Sequence, residues 1–160
     1  MERISIIMGS VSDLDTLQEA IDFLKKMKVK FEVKILSAHR TPKELEAYVA
    51  LAVKKGVKVF IAAAGGAAAL AGVIASHTTL PVIGIPIETQ SLKGLDSLLS
   101  TVQMPAGIPV ASMAIGKAGA RNAAIFALEI LGVSDKQLAL KLARYKKNMR
   151  IKVAGTKIKL

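Results

Sequence analysis

The chain has 160 residues and a formal net charge of +11, from 23 Lys and Arg against 12 Asp and Glu. Its apolar share of 52% excludes disorder as the dominant state, and the absence of cysteine excludes disulfides, thiolate nucleophiles and cysteine-ligated metals. The charge excess is local: nine basic residues (Lys136, Lys141, Arg144, Lys146, Lys147, Arg150, Lys152, Lys157, Lys159) and no acidic ones lie from Lys136 to the end, which leaves +2 on residues 1–135.

In chain order, Ile4–Met8 is a β-branched run that stops at Gly9-Ser10-Val11-Ser12-Asp13. Leu14, Leu17, Ile21 and Leu24 then recur at helical spacing. Phe31–Leu36 alternates apolar and charged residues, as a half-buried strand does. Thr41 as N-cap, Pro42 at the first helical position and Glu44 closing a capping box predict a helix whose stripe is Leu45, Tyr48, Val49 and Ala52. Val57–Ala64 reads as a strand buried on both faces, Gly66–Ser76 as a small-residue helix and Pro81–Pro86 as a fourth strand. A helix near Leu92–Val102, a strand near Val110–Ile115 and a helix near Gly119–Leu131 continue the alternation. Leu138, Leu142, Tyr145 and Met149 mark a last amphipathic helix.

This order predicts a single α/β domain over residues 1–160, in which residues 135–160 form a basic C-terminal helix and tail. The architecture is a three-layer parallel sheet with helices on both faces, of the flavodoxin or Rossmann kind. The uncharged stretch Val59–Ile87 is long enough for a bilayer, but Gly65-Gly66, His77-Thr78-Thr79 and Pro81 divide it into pieces typical of a buried parallel sheet. A cytoplasmic protein without a membrane span is expected.

In open α/β sheets ligands sit beyond the carboxyl ends of the strands. At Gly9–Asp13 free amides at a helix start favour an anion, and Ser10 and Ser12 add hydroxyls; the plainer role is a helix cap by Ser12 or Asp13. Neither the dinucleotide fingerprint nor the P-loop pattern is present, so neither NAD nor ATP is indicated. Ser37-Ala38-His39-Arg40-Thr41 offers an imidazole for proton transfer beside a guanidinium able to fork onto a phosphate or carboxylate. Alternatively His39 only bonds a neighbouring carbonyl. His77, in an apolar stretch, reads as structural, and two histidines so far apart make a poor metal site. The Ala- and Gly-rich run Ala62–Gly72 lets backbone approach a ligand or a helix closely.

Together these segments resemble the class I N5-carboxyaminoimidazole ribonucleotide mutases of de novo purine biosynthesis, the PurE family. The resemblance rests on Met8-Gly9-Ser10-Val11-Ser12-Asp13, Ser37-Ala38-His39-Arg40-Thr41-Pro42, Gly65-Gly66-Ala67-Ala68, Thr79-Leu80-Pro81-Val82-Ile83-Gly84, Gly94-Leu95-Asp96-Ser97-Leu98 and Val102-Gln103-Met104-Pro105. It implies an isomerase that converts the N5-carboxy nucleotide to 4-carboxy-5-aminoimidazole ribonucleotide through released carbon dioxide, without metal or organic cofactor. His39 would be the general acid and base. Ser10, Asp13 and Arg40 would hold the ribose phosphate and sugar with Ser37 nearby, and Gly65 and Gly66 would wall the carbon dioxide pocket. Asp13 suits ribose hydroxyls better than phosphate, which a carboxylate repels.

One departure falls inside the site. Where the family usually reads Gly-Ala-Gly-Gly-Ala-Ala-His-Leu-Pro-Gly, this chain has Ala63, Ala69 and Ala71 at the first glycine, the histidine and the proline. A sparser working mutase, a slower one and a paralogue that binds aminoimidazole ribonucleotide without turnover are the outcomes left. Direct carboxylation by carbon dioxide belongs to a related class that the Gln-Met-Pro and Gly-Gly-Ala-Ala segments do not match. A basic nucleic-acid-binding protein is the alternative from another class; the tail alone supports it, and no Trp with 4% aromatics argues against stacking platforms. A mean hydropathy of +0.44 is high for a small monomer and predicts a homo-oligomer. The resemblance implies an octamer.

Overall fold

The computed structural model describes residues 3–158. Five parallel strands, β1 (Ile4–Met8), β2 (Phe31–Ile35), β3 (Val59–Ala64), β4 (Val82–Pro86) and β5 (Ala111–Ser112), form one sheet in the order β2-β1-β3-β4-β5. The helices are α1 (Leu14–Met27), α2 (Pro42–Lys54), α3 (Leu70–Ser76), α4 (Leu95–Val102), α5 (Gly116–Gly132) and α6 (Lys136–Ala154). Register is continuous through the middle: Met8 pairs with Ile35 and with Ala63, and Ala63 with Ile85.

The central strands are almost wholly apolar because both faces are covered, and the polar exception in β1, fully buried Ser5, shares a hydrogen bond with the Tyr48 hydroxyl (2.6 Å). On one face Ile7, Phe60, Ala62 and Val82 pack with Leu45 and Val49 of α2 and Leu70 and Ile74 of α3. Strand alternation turns Ile6, Ile61 and Ile83, all fully buried, to the other face. There α1 contributes Leu17 and Leu24, and ion pairs Lys117–Asp15 and Arg121–Glu19 join α1 to α5. β2 lies at the sheet edge, with Ile35 55% exposed.

The chain divides into two compact units between Ala127 and Leu128, within α5. The second holds the end of α5 and all of α6. Asp135 caps α6 by accepting from the Leu138 amide (3.1 Å), and Leu138 and Leu142 are its buried residues. The other side chains from Lys136 to Met149 are exposed, save half-buried Tyr145.

Several elements are shorter than their patterns. The helix expected over Gly66–Ser76 begins at Leu70, because Gly66 has a positive φ of 70° and the chain turns there before it coils. The strand expected near Val110–Ile115 pairs only over Ala111–Ser112. The capping box at Thr41 is absent: Thr41 Oγ1 instead accepts the Ser37 amide (2.8 Å) and donates to the Ser37 carbonyl (3.0 Å). The first cap also differs. Ser10 caps a single 3-10 turn over Val11–Asp13 and the Asp13 carboxylate completes that box by accepting the Ser10 amide (3.3 Å), while Asp13 is also the N-cap residue of α1, without a side-chain bond to that helix. Among the described residues no helix is long and apolar enough to cross a membrane.

Candidate active site

The strand order reverses at β1, since β2 lies on one side of it and β3 on the other. The loops after β1 and β3 therefore diverge at their carboxyl ends and open a crevice. A cavity of ≈ 420 Å³ fills it, lined by Gly9, Ser10, Ser12 and Asp13 after β1, Ser37–Arg40 after β2, and Ala64, Gly65 and Ala67–Leu70 after β3. Six of the seven residues expected from the sequence (Ser10, Asp13, Ser37, His39, Arg40, Gly65) share this cavity, and Gly66 is the next residue along its wall.

Each loop is braced. Ser37 Oγ accepts from the Arg40 amide (3.2 Å) and from Arg40 Nε (3.4 Å), which folds the loop after β2 into a tight turn. Arg40 Nη2 then crosses to donate to the Gly9 carbonyl at 2.7 Å, tying that turn to the end of β1. In the β1 loop Ser12 Oγ donates to Ser10 Oγ (2.9 Å), and the Ser12 amide also donates to it (3.3 Å). His39 lines the cavity and is exposed to solvent.

Polarity divides the cavity. Hydroxyls, the Asp13 carboxylate and the Arg40 guanidinium occupy one side, and the methyls of Ala64, Ala67, Ala68 and Ala69 with Leu70 occupy the other. Asp13 is buried, and desolvation pushes its carboxyl above the usual 3.8 despite the Ser10 amide, the Ser12 hydroxyl and the charge of Arg40, all of which pull it down.

Ala69, the N-cap residue of α3, is one of the alanines that line the cavity. His77 caps the other end of α3 and lines a separate cavity of ≈ 670 Å³ with Lys54, Thr78 and Thr79. That larger cavity contains none of the expected site residues.

Sequence reasoning missed Ser97. It is fully buried on α4, accepts the Gly66 amide (2.9 Å) and donates to the Ile87 carbonyl (2.7 Å). The available signal was α4's inverted pattern, with Ser97 and Thr101 inward and Leu95, Leu99 and Val102 outward.

Comparison with known proteins adds an independent line. Residues 3–152 match the AIR carboxylase family. The chain is 49% identical over 158 residues to the N5-carboxyaminoimidazole ribonucleotide mutase of Saccharolobus solfataricus, spanning 99% of each protein. It is 51% identical over 147 residues to the mutase of Bacillus subtilis, spanning 92% of this chain and 91% of that one. Among solved structures it resembles Treponema denticola PurE, with a TM-score of 0.87, 26% identity, and coverage of 95% of this chain and 94% of the other.

Proposed function

The chain belongs to the AIR carboxylase family, and from that membership we infer that it is an isomerase of purine biosynthesis that converts N5-carboxyaminoimidazole ribonucleotide to 4-carboxy-5-aminoimidazole ribonucleotide. The observation that carries this reading to named residues is the single crevice in which His39, Arg40, Ser10 and Asp13 meet an alanine wall.

The chemistry needs three things from such a site. The carbamate C–N bond must break as its nitrogen gains a proton, the freed carbon dioxide must stay beside the ring, and the ring carbon must lose its proton after the new C–C bond forms. His39 supplies the first proton and takes the last, so no net proton is consumed and one imidazole serves both half-reactions. The methyls of Ala64, Ala67, Ala68 and Ala69 give carbon dioxide a dry, unreactive wall, which keeps water from competing for it. On the polar side, Arg40 and the Ser10 and Ser12 hydroxyls suit the phosphate, with Ser37 holding Arg40 in place, and Asp13 suits the ribose hydroxyls.

The working enzyme is a homo-oligomer in this reading. Leu95, Leu99 and Val102 form one stripe on α4, each about half exposed, and a second copy of the chain would cover it. The octamer implied by the resemblance is tested by light scattering on the purified protein. A cytoplasmic location belongs to the same reading and is tested by cell fractionation.

The deciding experiment supplies the N5-carboxy nucleotide without ATP and follows the C-carboxy product. His39→Asn should remove turnover and leave nucleotide affinity within about twofold, because a single positioned acid–base group contributes roughly a hundredfold or more to rate. Normal turnover in His39→Asn would exclude the imidazole from the mechanism. An inactive wild-type chain that still binds aminoimidazole ribonucleotide would favour the non-catalytic paralogue.

A further inference from the structure

Helix α4 is inside out. Its buried side chains are Ser97 and Thr101, while Leu95, Leu99 and Val102 face outward. A helix that buries hydroxyls does so at a cost unless each finds a partner, and here each does. Thr101 Oγ1 donates to the Ser97 carbonyl (2.7 Å), and Ser97 Oγ both donates to the Ile87 carbonyl (2.7 Å) and accepts the Gly66 amide (2.9 Å). Ser100 Oγ, three residues further on, lies 2.8 Å from the Asp96 carbonyl and 3.3 Å from that of Gly66. Gly66 is thus held at its N–H and approached at its C=O from the same helix.

That glycine is the hinge of the cavity wall. Its φ of 70° turns the chain between Gly65 and Ala67, which both line the cavity, and the amide of Ala68 closes the turn onto its carbonyl at 2.8 Å. Among the described residues Gly65 has no such strap from α4, and a Cβ there would meet Thr89 Cγ2 at 3.4 Å and Ile87 Cβ at 3.6 Å. One fully buried hydroxyl thus joins α4, the residue after β4 and the Gly66 turn, and Ser100 adds a second, longer contact from the same helix.

We propose that Ser97 is a positioning residue for the isomerisation: through the Gly66 amide it holds the Gly65–Ala69 wall closed over the carbon dioxide released in the first half-reaction, so that the carboxylate is transferred and not lost. It touches neither substrate nor His39 and acts only through the wall. The proposal rests on the mutase reading above. Without the strap the first step is unchanged in its bonds: the carbamate C–N bond breaks and nitrogen takes the His39 proton. Carbon dioxide then leaves for water and hydrates to bicarbonate with release of a proton, which through solvent replaces the one His39 gave up, and aminoimidazole ribonucleotide remains as the second product.

The test uses substrate labelled with ¹³C in the migrating carboxylate, in buffer with unlabelled bicarbonate, and reads the ratio of labelled C-carboxy product to free aminoimidazole ribonucleotide. Ser97→Ala should shift that ratio about fivefold towards loss, the factor expected for one hydrogen bond, with KM near wild type because the sugar and phosphate contacts are elsewhere. Ser97→Thr, which keeps the hydroxyl, should recover most of the ratio. Ser100→Ala, with its longer contact, should shift it less than Ser97→Ala. Deuterium exchange of peptides covering residues 64–70 in the ligand-free protein should be faster in Ser97→Ala than in wild type. An unchanged ratio in Ser97→Ala, at whatever residual rate, overturns the proposal, as does unchanged exchange across the wall. If wild type itself makes no C-carboxy product, the mutase reading fails separately and the exchange result alone decides whether Ser97 holds the wall.

Discussion

Arg40 Nη2 donates to the Gly9 carbonyl across 2.7 Å, so the guanidinium that faces the crevice also ties the end of β1 to the turn after β2. With its Nε on Ser37 Oγ (3.4 Å), the same side chain spends two of its donors on backbone order and keeps the others for an anion. A lysine could supply the charge but not the fork. Arg40→Lys is therefore expected to raise KM about tenfold or more, the effect of losing one charge-assisted hydrogen bond, with a smaller change in kcat. Steady-state kinetics check this, and an unchanged KM would remove Arg40 from substrate binding.

Asp13 gives a prediction with a pH signature. Burial raises its folded-state pKa above the 3.8 of the unfolded chain. The folded protein thus holds that proton more tightly, so the contribution to stability is complete below 3.8 and is lost as pH rises through the raised folded value. At neutral pH the ionised carboxylate is a burden on the fold. Asp13→Asn should accordingly melt higher than wild type at pH 7, with the difference shrinking as pH falls towards 3.8, and should bind nucleotide more weakly for want of a carboxylate acceptor. A melting difference that is constant from pH 3 to pH 7 would contradict the assignment.

The site was legible in sequence where its chemistry is contiguous. Ser37–Arg40 and Ser10–Asp13 each sit in one loop, and the alternation of strands with helices was enough to bring both loops to the same sheet edge. What sequence could not show was how the loops are braced. Thr41 and Glu44 have the spacing of a capping box, yet Thr41 Oγ1 closes on Ser37 because the turn after β2 offers both an amide and a carbonyl at closer range. The Gly66–Ser76 pattern reads as helix throughout because alanine favours helix, and the positive φ at Gly66 delays it to Leu70. Ser97 was missed for a different reason: the pattern of α4 marks the face it turns inward, but the Gly66 amide it bonds lies 31 residues away and leaves no local trace.

Ala69 tests how sparse the site can be. It lies on the cavity wall, where its relatives in the resemblance usually carry a histidine, and His77 faces a separate cavity and cannot stand in. Ala69→His should fit without backbone strain, since residue 69 has ordinary helical dihedrals (φ −71°, ψ −13°) and is only part-buried. An added polar contact to the migrating carboxylate is worth about one hydrogen bond, so kcat is expected to rise about fivefold. An equal or lower kcat, with the nucleotide still bound, would show that the alanine wall already suffices.

Gly84 sets the depth at which α4 sits on the sheet. A Cβ there would lie 2.3 Å from Thr101 Cγ2, 3.1 Å from Val110 Cγ1 and 3.3 Å from Ala71 Cβ, so β4 is bare where the helix crosses it. Only at that depth does Ser97, one turn before Thr101, reach both Ile87 and Gly66. Gly84→Ala should force the helix outward and destabilise the fold by about 1–3 kcal/mol, the usual cost of overpacking. Thr101→Ser removes the methyl that clashes while keeping the hydroxyl bonded to the Ser97 carbonyl. The double variant Gly84→Ala/Thr101→Ser should therefore be more stable than Gly84→Ala alone, a coupling that a double-mutant cycle of denaturant midpoints measures directly. Strict additivity of the two changes would mean that α4 is not seated by this contact.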